Sequence, residues 1–439
     1  MQARTCAVAQ SARMNSVCLR SVPALLLALG AVACSEEEFD GEQSIAALAA
    51  CGARELTPCD ILDPSCQQRI AEIAACQWGG AGTPALLPEV TTLSEDEYRA
   101  QLAQATPARS AAQHAVDTSL ALLGLIDAGD LGSEAVIDQT AGRVLAYYDF
   151  ETKSIHLVVH ETEEDLAEAD GTLLHELIHA QQDAAHDLSA LQARRTPSTD
   201  GIAAAQGLYE GEASFQEWLF EALLGGAQLD AGFVEAGLRE RRVENEDAVF
   251  QSAHVFSSAL QLWPYTYGAV WISDLWLRGG RAAVQGRYSP APGSELPALQ
   301  ATWDATGDDT PKLLAYPTAN IYFSGERPRA DSELLPVSLD RLGAYSLYIA
   351  ARLAGDAALG ERLALGWRGD QLDVYQLDDG GGAGRWQVRF ADEASASEFA
   401  ELMARSGSVS VRSSERSVVC VVSESGARPE WLFGPLGAL

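Results

Sequence analysis

Apolar and polar residues change period several times along the chain, and each change marks an element. Helical spacing predicts helices at 43–52, 65–77, 94–105 and 109–127. The third opens on Ser94 with Glu97 three positions on, a reciprocal capping pair. The period then falls to two. Segments 143–148 and 154–160 alternate, and the five residues between them predict a β-hairpin. Thr162, Glu163, Glu164 and Asp165 predict the cap of a helix through 172–183, with acids in the first turn where the helix dipole favours them. Helical spacing returns at 201–224, 230–244, 246–262 and 269–277, the last stopped by Gly279-Gly280. Segment 288–337 is rich in Pro, Gly, Asp and Ser and reads as an extended connection. Beyond it the pattern gives helices at 341–354 and 357–365, strands at 371–377 and 385–390, a helix at 394–405 and a closing hairpin of 408–412 with 417–422. The fold class is therefore α+β. Gly380 to Gly382 is a turn between strands, and no helix follows it that would make a phosphate loop.

Length changes this picture: 439 residues exceed one ordinary core and predict two or three units. Hydrophobic content of 47% with 21% charged residues describes a folded protein. The net charge of −32 repels phosphates and anionic lipid surfaces, so nucleic acid is excluded as a partner.

The amino terminus reads as an address. Arginines precede an apolar run over 22–33, the layout of a secretory signal and too short to span a bilayer. Ala31-Val32-Ala33-Cys34 resembles a bacterial lipobox, which implies lipidation of Cys34, export and a lipid-anchored place in the cell envelope. Ser35 after that cysteine points to the outer membrane, and ordinary signal cleavage at Ala33 is the competing reading. Cys51, Cys59, Cys66 and Cys76 then cluster in an exported segment, which predicts two disulfides with three possible connectivities. No Cys-x2-Cys pair supports a zinc site in their place.

The chemistry concentrates at His175-Glu176-Leu177-Ile178-His179. Residues four apart on a helix leave from one face, so both imidazoles can meet a divalent metal. Glu176 sits beside them, placed to deprotonate a water. Two histidines leave zinc short of a protein ligand, and Tyr209-Glu210-Gly211-Glu212-Ala213 follows on the next helix. Glu210 and Glu212 lie about 200° apart around that helix, so only one can face the metal. Leu208, Phe215 and Leu219 share the Glu212 side, which argues for Glu212. The small residues Ala203, Gly207 and Ser214 favour close approach on the Glu210 side.

The pair His-Glu-x-x-His and Glu210-Gly211-x-Ala213 resembles a gluzincin metallopeptidase, over about residues 140–220. The resemblance implies a zincin-like core with Zn2+ held by His175, His179 and Glu210, with Glu176 as general base. It implies a peptide or protein substrate. A tyrosine is often the oxyanion donor in that family, and Tyr267, or Tyr265, is the candidate; buried aromatic packing is the other reading of both. No Gly-Ala-Met-Glu-Asn segment for a free amino terminus is present, so the implied activity is that of an endopeptidase. Ser214 stands where several gluzincins carry an aspartate that supports a histidine, and Asp183 is a possible substitute. The expected organisation is a signal at 1–33, a Cys-rich helical segment at 34–85, a catalytic domain at 86–290 and a linker with an α+β region at 291–439. The alternative is a non-catalytic envelope binding or adhesion module on the same fold, for which an intact Glu176 would have no use.

Overall fold

Two helices, α1 (Gly41–Cys51) and α2 (Pro64–Gly79), open the described chain. Asp63 caps α2 by accepting from the Ser65 amide at 2.8 Å, and Pro64 takes the first turn, where its missing N–H costs nothing. Both expected disulfides are present: Cys51–Cys76 joins the carboxyl ends of the two helices and Cys59–Cys66 closes the loop before α2. The computed structural model describes residues 41–51, 56–105, 110–126, 140–160, 169–194, 198–252, 254–288, 298–304, 312–318, 334–377 and 381–424, with positions 137 and 166. The expected signal at 1–33, Cys34 and the capping run 162–165 lie outside the described residues. Among those described, no helix is long and apolar enough to cross a membrane.

The predicted hairpin forms β2 (Ala146–Asp149) and β3 (Ser154–Val159), paired antiparallel. A strand the pattern did not reveal, β1 (Glu89–Ser94), lies parallel to β3 on its other side, so β2 is the edge of a sheet ordered β1-β3-β2. The half-exposed residues of β1 give no clean alternation. Next come α3 (Glu95–Ala105) and α4 (Ala111–Leu122). Ser94 and Glu97 cap α3 reciprocally, with the Ser94 amide to Glu97 Oε2 at 2.8 Å and the Glu97 amide to Ser94 Oγ at 3.3 Å.

The helical layer comprises α5 (Asp170–His186), α6 (Leu188–Arg194), α7 (Thr199–Leu224), α8 (Ala231–Phe250) and α9 (Val255–Trp263). A π-helical turn (Pro264–Gly268) leads into α10 (Ala269–Tyr288). As expected, Gly279-Gly280 ends the first helical stretch of α10: Gly280, at φ 59° and ψ −160°, is non-helical, and a second stretch runs on to Tyr288. The expected extended connection differs. It holds β4 (Ala298–Asp304) and β5 (Lys312–Thr318), paired with each other, and β6 (Leu334–Asp340). Last come α11 (Gly343–Leu353), α12 (Ala357–Gly366), β7 (Trp367–Leu377), β8 (Gly382–Phe390), α13 (Glu393–Ala404), β9 (Ser410–Ser414) and β10 (Ser417–Ser423). Five of these strands form an antiparallel sheet in the order β6-β7-β8-β10-β9.

The principal core runs from Ile45 and Leu48 of α1, through α7 and α10, to Val418 and Val422 of β10. A polar knot ties α11 to β7 and β8 within the last part. Asp370 accepts from the amides of Leu342 and Gly343 and from the indoles of Trp367 and Trp386, all at 2.8–3.0 Å. Gly343 is at φ 82°, and a Cβ there would lie 2.4 Å from Asp200 Oδ1, so only glycine fits. A second core, built on α2, the small sheet and the apolar residues Leu173, Leu174, Leu177 and Ile178, holds α5.

Candidate metal centre

Helix α5 is enclosed along most of its length because α2, β2 and α7 all pack on it. His175, Glu176 and His179 are consequently buried. Helix α7 brings up Glu210, whose Oε2 lies 3.2 Å from His175 Nε2 and 3.1 Å from His179 Nε2. The two imidazole centroids are 4.7 Å apart, and the three potential ligand atoms lie within 4.8 Å of one another. Glu212, the other candidate, faces away: it is fully buried and accepts from Tyr288 Oη at 2.7 Å and Gln182 Nε2 at 3.0 Å. Gly211 explains how α7 adopts this register. A Cβ on it would lie 2.5 Å from the Gly268 carbonyl carbon, so its absence lets the π-turn rest on α7 backbone to backbone.

The far sides of both imidazoles are also occupied. His175 Nδ1 lies 3.0 Å from Glu217 Oε2, an acceptor, so Nδ1 carries hydrogen. His179 Nδ1 lies 2.8 Å from Gln182 Oε1. The orientation of that amide is fixed, because Gln182 Nε2 donates towards the Tyr209 carbonyl at 2.9 Å as well as Glu212. Gln182 Oε1 must accept, so His179 Nδ1 also carries hydrogen. Both Nε2 atoms therefore aim their lone pairs at the point Glu210 Oε2 faces, a site of three donors with no proton of its own unless both rings charge. Burial opposes an imidazolium at His175, yet Glu210 and Glu217 hold its pKa well above the ordinary value, and Glu210 raises that of His179 against the same burial. Burial would raise Glu210, but the two histidines outweigh it and keep its carboxyl far below the usual range. A divalent cation removes the need for both protons, and the donor set of two imidazoles and one carboxylate suits zinc.

Glu176 is ringed by the same groups. Burial pushes its pKa up, opposed by the two histidines and by a hydrogen bond from the Tyr148 amide on β2. Aromatic rings frame the cluster: Phe150 is 6.2 Å and Tyr209 5.9 Å from the His179 ring, centroid to centroid.

The two candidate tyrosines have different surroundings. Tyr267 is buried, Arg242 donates to its hydroxyl at 3.3 Å and its ring meets Tyr345 at 5.3 Å. Tyr265, two residues earlier and therefore pointing the other way, stacks on His175 at 5.9 Å with planes 27° apart. The residue is 39% exposed, and the Glu210 charge with a hydrogen bond to Glu210 holds its hydroxyl protonated well beyond the ordinary range. Asp183 does not support a histidine either. It accepts from Tyr148 Oη at 3.0 Å, Lys153 Nζ at 2.5 Å and the Leu188 amide at 3.0 Å, tying the β2–β3 hairpin to the end of α5. Ser214 Oγ is buried with no partner among the described residues.

The residues that support the histidines are Glu217 and Gln182, which the sequence reading missed. Glu217 follows Glu210 by seven, two turns on the same face of α7, and Gln182 follows His179 by three. Those spacings were the available signal. Comparison with protein-family models, with curated proteins and with solved structures finds no match to this chain.

Proposed function

We propose that the chain is a zinc-dependent endopeptidase of gluzincin-like, zincin-type architecture, exported and anchored in the envelope by lipid on Cys34. The observation that carries this reading is the convergence of His175 Nε2, His179 Nε2 and Glu210 Oε2 with both Nδ1 atoms already committed elsewhere. His175, His179 and Glu210 would hold the ion. Zinc bound there supplies a Lewis acid for the scissile carbonyl and lowers the pKa of water to about 7.

The chain's own residues account for the rest. Glu176, buried next to the ligands, takes a proton from the attacking water and returns it to the leaving amine. Its raised pKa suits a group that must both accept and give up that proton near neutrality. Tyr265, kept protonated, donates to the oxygen on which negative charge develops. Strand β2 is the sheet edge nearest Glu176, and among the described residues its outer side pairs with no other strand, so an extended peptide can add to it.

The test is cleavage of a denatured protein substrate by zinc-loaded wild type and Glu176→Gln. The reading requires loss of at least ~10²-fold in the variant with zinc retained. Equal cleavage by both would refute the assignment of the base.

A further inference from the structure

The β2–β3 hairpin carries no candidate metal ligand, yet its turn lies against one. Phe150, the residue after β2, sets its ring 6.2 Å from that of His179 and 6.3 Å from that of Tyr209, centroid to centroid. Strand β2 itself packs on α5. A single carboxylate oxygen fixes the hairpin there. Asp183 Oδ2 accepts from Tyr148 Oη at 3.0 Å and from Lys153 Nζ at 2.5 Å, so one atom on the helix of His175 and His179 holds both limbs of the hairpin. Asp183 Oδ1 accepts from the Leu188 amide at 3.0 Å, which keeps the carboxylate from swinging away.

The turn closes on Lys153 against the preference of its backbone. Asp149 Oδ1 accepts from the amides of Glu151 at 2.7 Å and Thr152 at 3.2 Å, and the Lys153 amide donates to the Asp149 carbonyl at 2.8 Å. This closure puts Lys153 at φ 55°, the left-handed region that suits glycine or asparagine and strains a long side chain. Glycine would close the same turn without strain, so the ammonium is what the position requires. Composition does not explain the choice, since only two of the chain's 30 basic residues are lysines. The partner does: the Asp183 side chain is buried and that of Lys153 half exposed, so the ammonium neutralises from the solvent side a charge held out of water.

We propose that Lys153 is a positioning residue for substrate binding. Through Asp183 it holds β2, the edge to which an extended peptide adds, and Phe150 in register with the helix of His175 and His179. The proposal rests on the function proposed above. Lys153 acts on the strand and not on the reacting atoms, so its loss is felt in substrate binding rather than in the chemical step.

The experiment is steady-state cleavage of fluorescein-labelled casein, an unfolded substrate, by zinc-loaded protein, with zinc content and denaturant midpoint measured on each variant. Lys153→Met keeps the apolar stem and removes the charge. Lys153→Gly removes the charge and also relieves the left-handed backbone, so it should be the more stable of the two. Both should raise KM ~3–10-fold, with kcat within about 2-fold of wild type and zinc retained. Lys153→Arg, which keeps the charge, should stay near the wild-type KM. In an Asp183→Asn background, Lys153→Met should raise KM no further, because the pair is already broken. Unchanged KM in Lys153→Met and Lys153→Gly, or a KM that follows stability so that the glycine variant recovers the wild-type value, would overturn the proposal. So would loss of zinc from Lys153→Met, an arginine variant as impaired as the methionine one, or full additivity with Asp183→Asn. Zinc-loaded wild type that cleaves nothing would remove the functional reading, and the proposal with it.

Discussion

Replacing Gly211 by alanine tests the packing that brings the two halves of the site together, because the two terms involved have opposite signs. Gly211 lies inside α7 with helical neighbours, so alanine there should stabilise by about 0.5–1 kcal/mol through backbone entropy alone. The added Cβ, however, would stand 2.5 Å from the Gly268 carbonyl carbon, 2.7 Å from its oxygen and 2.9 Å from its Cα. These are backbone atoms of the π-turn and have no rotamer with which to yield. Reaching ordinary van der Waals separation requires α7 and the turn to part by about 1 Å, and such overpacking costs about 1–3 kcal/mol. The clash outweighs the gain over most of that range, for a net loss of up to about 2.5 kcal/mol in denaturant unfolding followed by circular dichroism. Because α7 carries Glu210 and the turn carries Tyr265, the same shift should lower kcat/KM by up to ~10²-fold. Gly286→Ala is the internal control: it lies in α10 with open space around its Cβ position and should stabilise. A Gly211→Ala protein as stable as wild type or more so would refute the backbone-to-backbone contact and the placement of Tyr265 that depends on it.

Glu217→Gln keeps the shape of the partner of His175 but removes its charge, and should weaken zinc by about 10-fold in a chelator competition with little change in the melting curve. Tyr265→Phe should lower kcat by ~10²-fold with KM nearly constant, whereas Tyr267→Phe, which removes the hydroxyl that meets Arg242, should cost only stability; steady-state kinetics of the pair separate them. Burial, against the pull of Arg341, raises the Asp200 carboxyl to about 7. A buried acid with a raised pKa binds its proton more tightly when folded, so its contribution to stability is complete below the unfolded value near 3.8 and disappears as pH rises through about 7. Denaturant midpoints between pH 4 and 8 should therefore fall more steeply in wild type than in Asp200→Asn.

The site was legible in the sequence where a motif carried its own geometry. Four-residue spacing on one helix forces His175 and His179 together, and no tertiary information is needed. Choosing Glu210 over Glu212 needed more, since the apolar neighbours Leu208, Phe215 and Leu219 do surround Glu212; that side is buried, but it is buried against Tyr288 and Gln182. The sequence could not choose between Tyr265 and Tyr267, because a residue's side of a turn depends on the turn's pitch and a π-turn opened by Pro264 has no reliable local signature. Strand β1 escaped because its alternation is blurred by partial exposure, and the strands within 288–337 because Pro and Gly there suggested only coil. In contrast, the Ser94–Glu97 cap and the two disulfides follow from local chemistry, and they stand as the sequence implied.

The central claim is that His175, His179 and Glu210 form one metal site, and the most direct measurement is zinc content after loading and exhaustive dialysis against metal-free buffer. Wild type and Glu212→Gln should retain about one equivalent, and His179→Ala and Glu210→Gln should lose it. Wild type without zinc, or Glu210→Gln that keeps it while Glu212→Gln does not, would contradict the account.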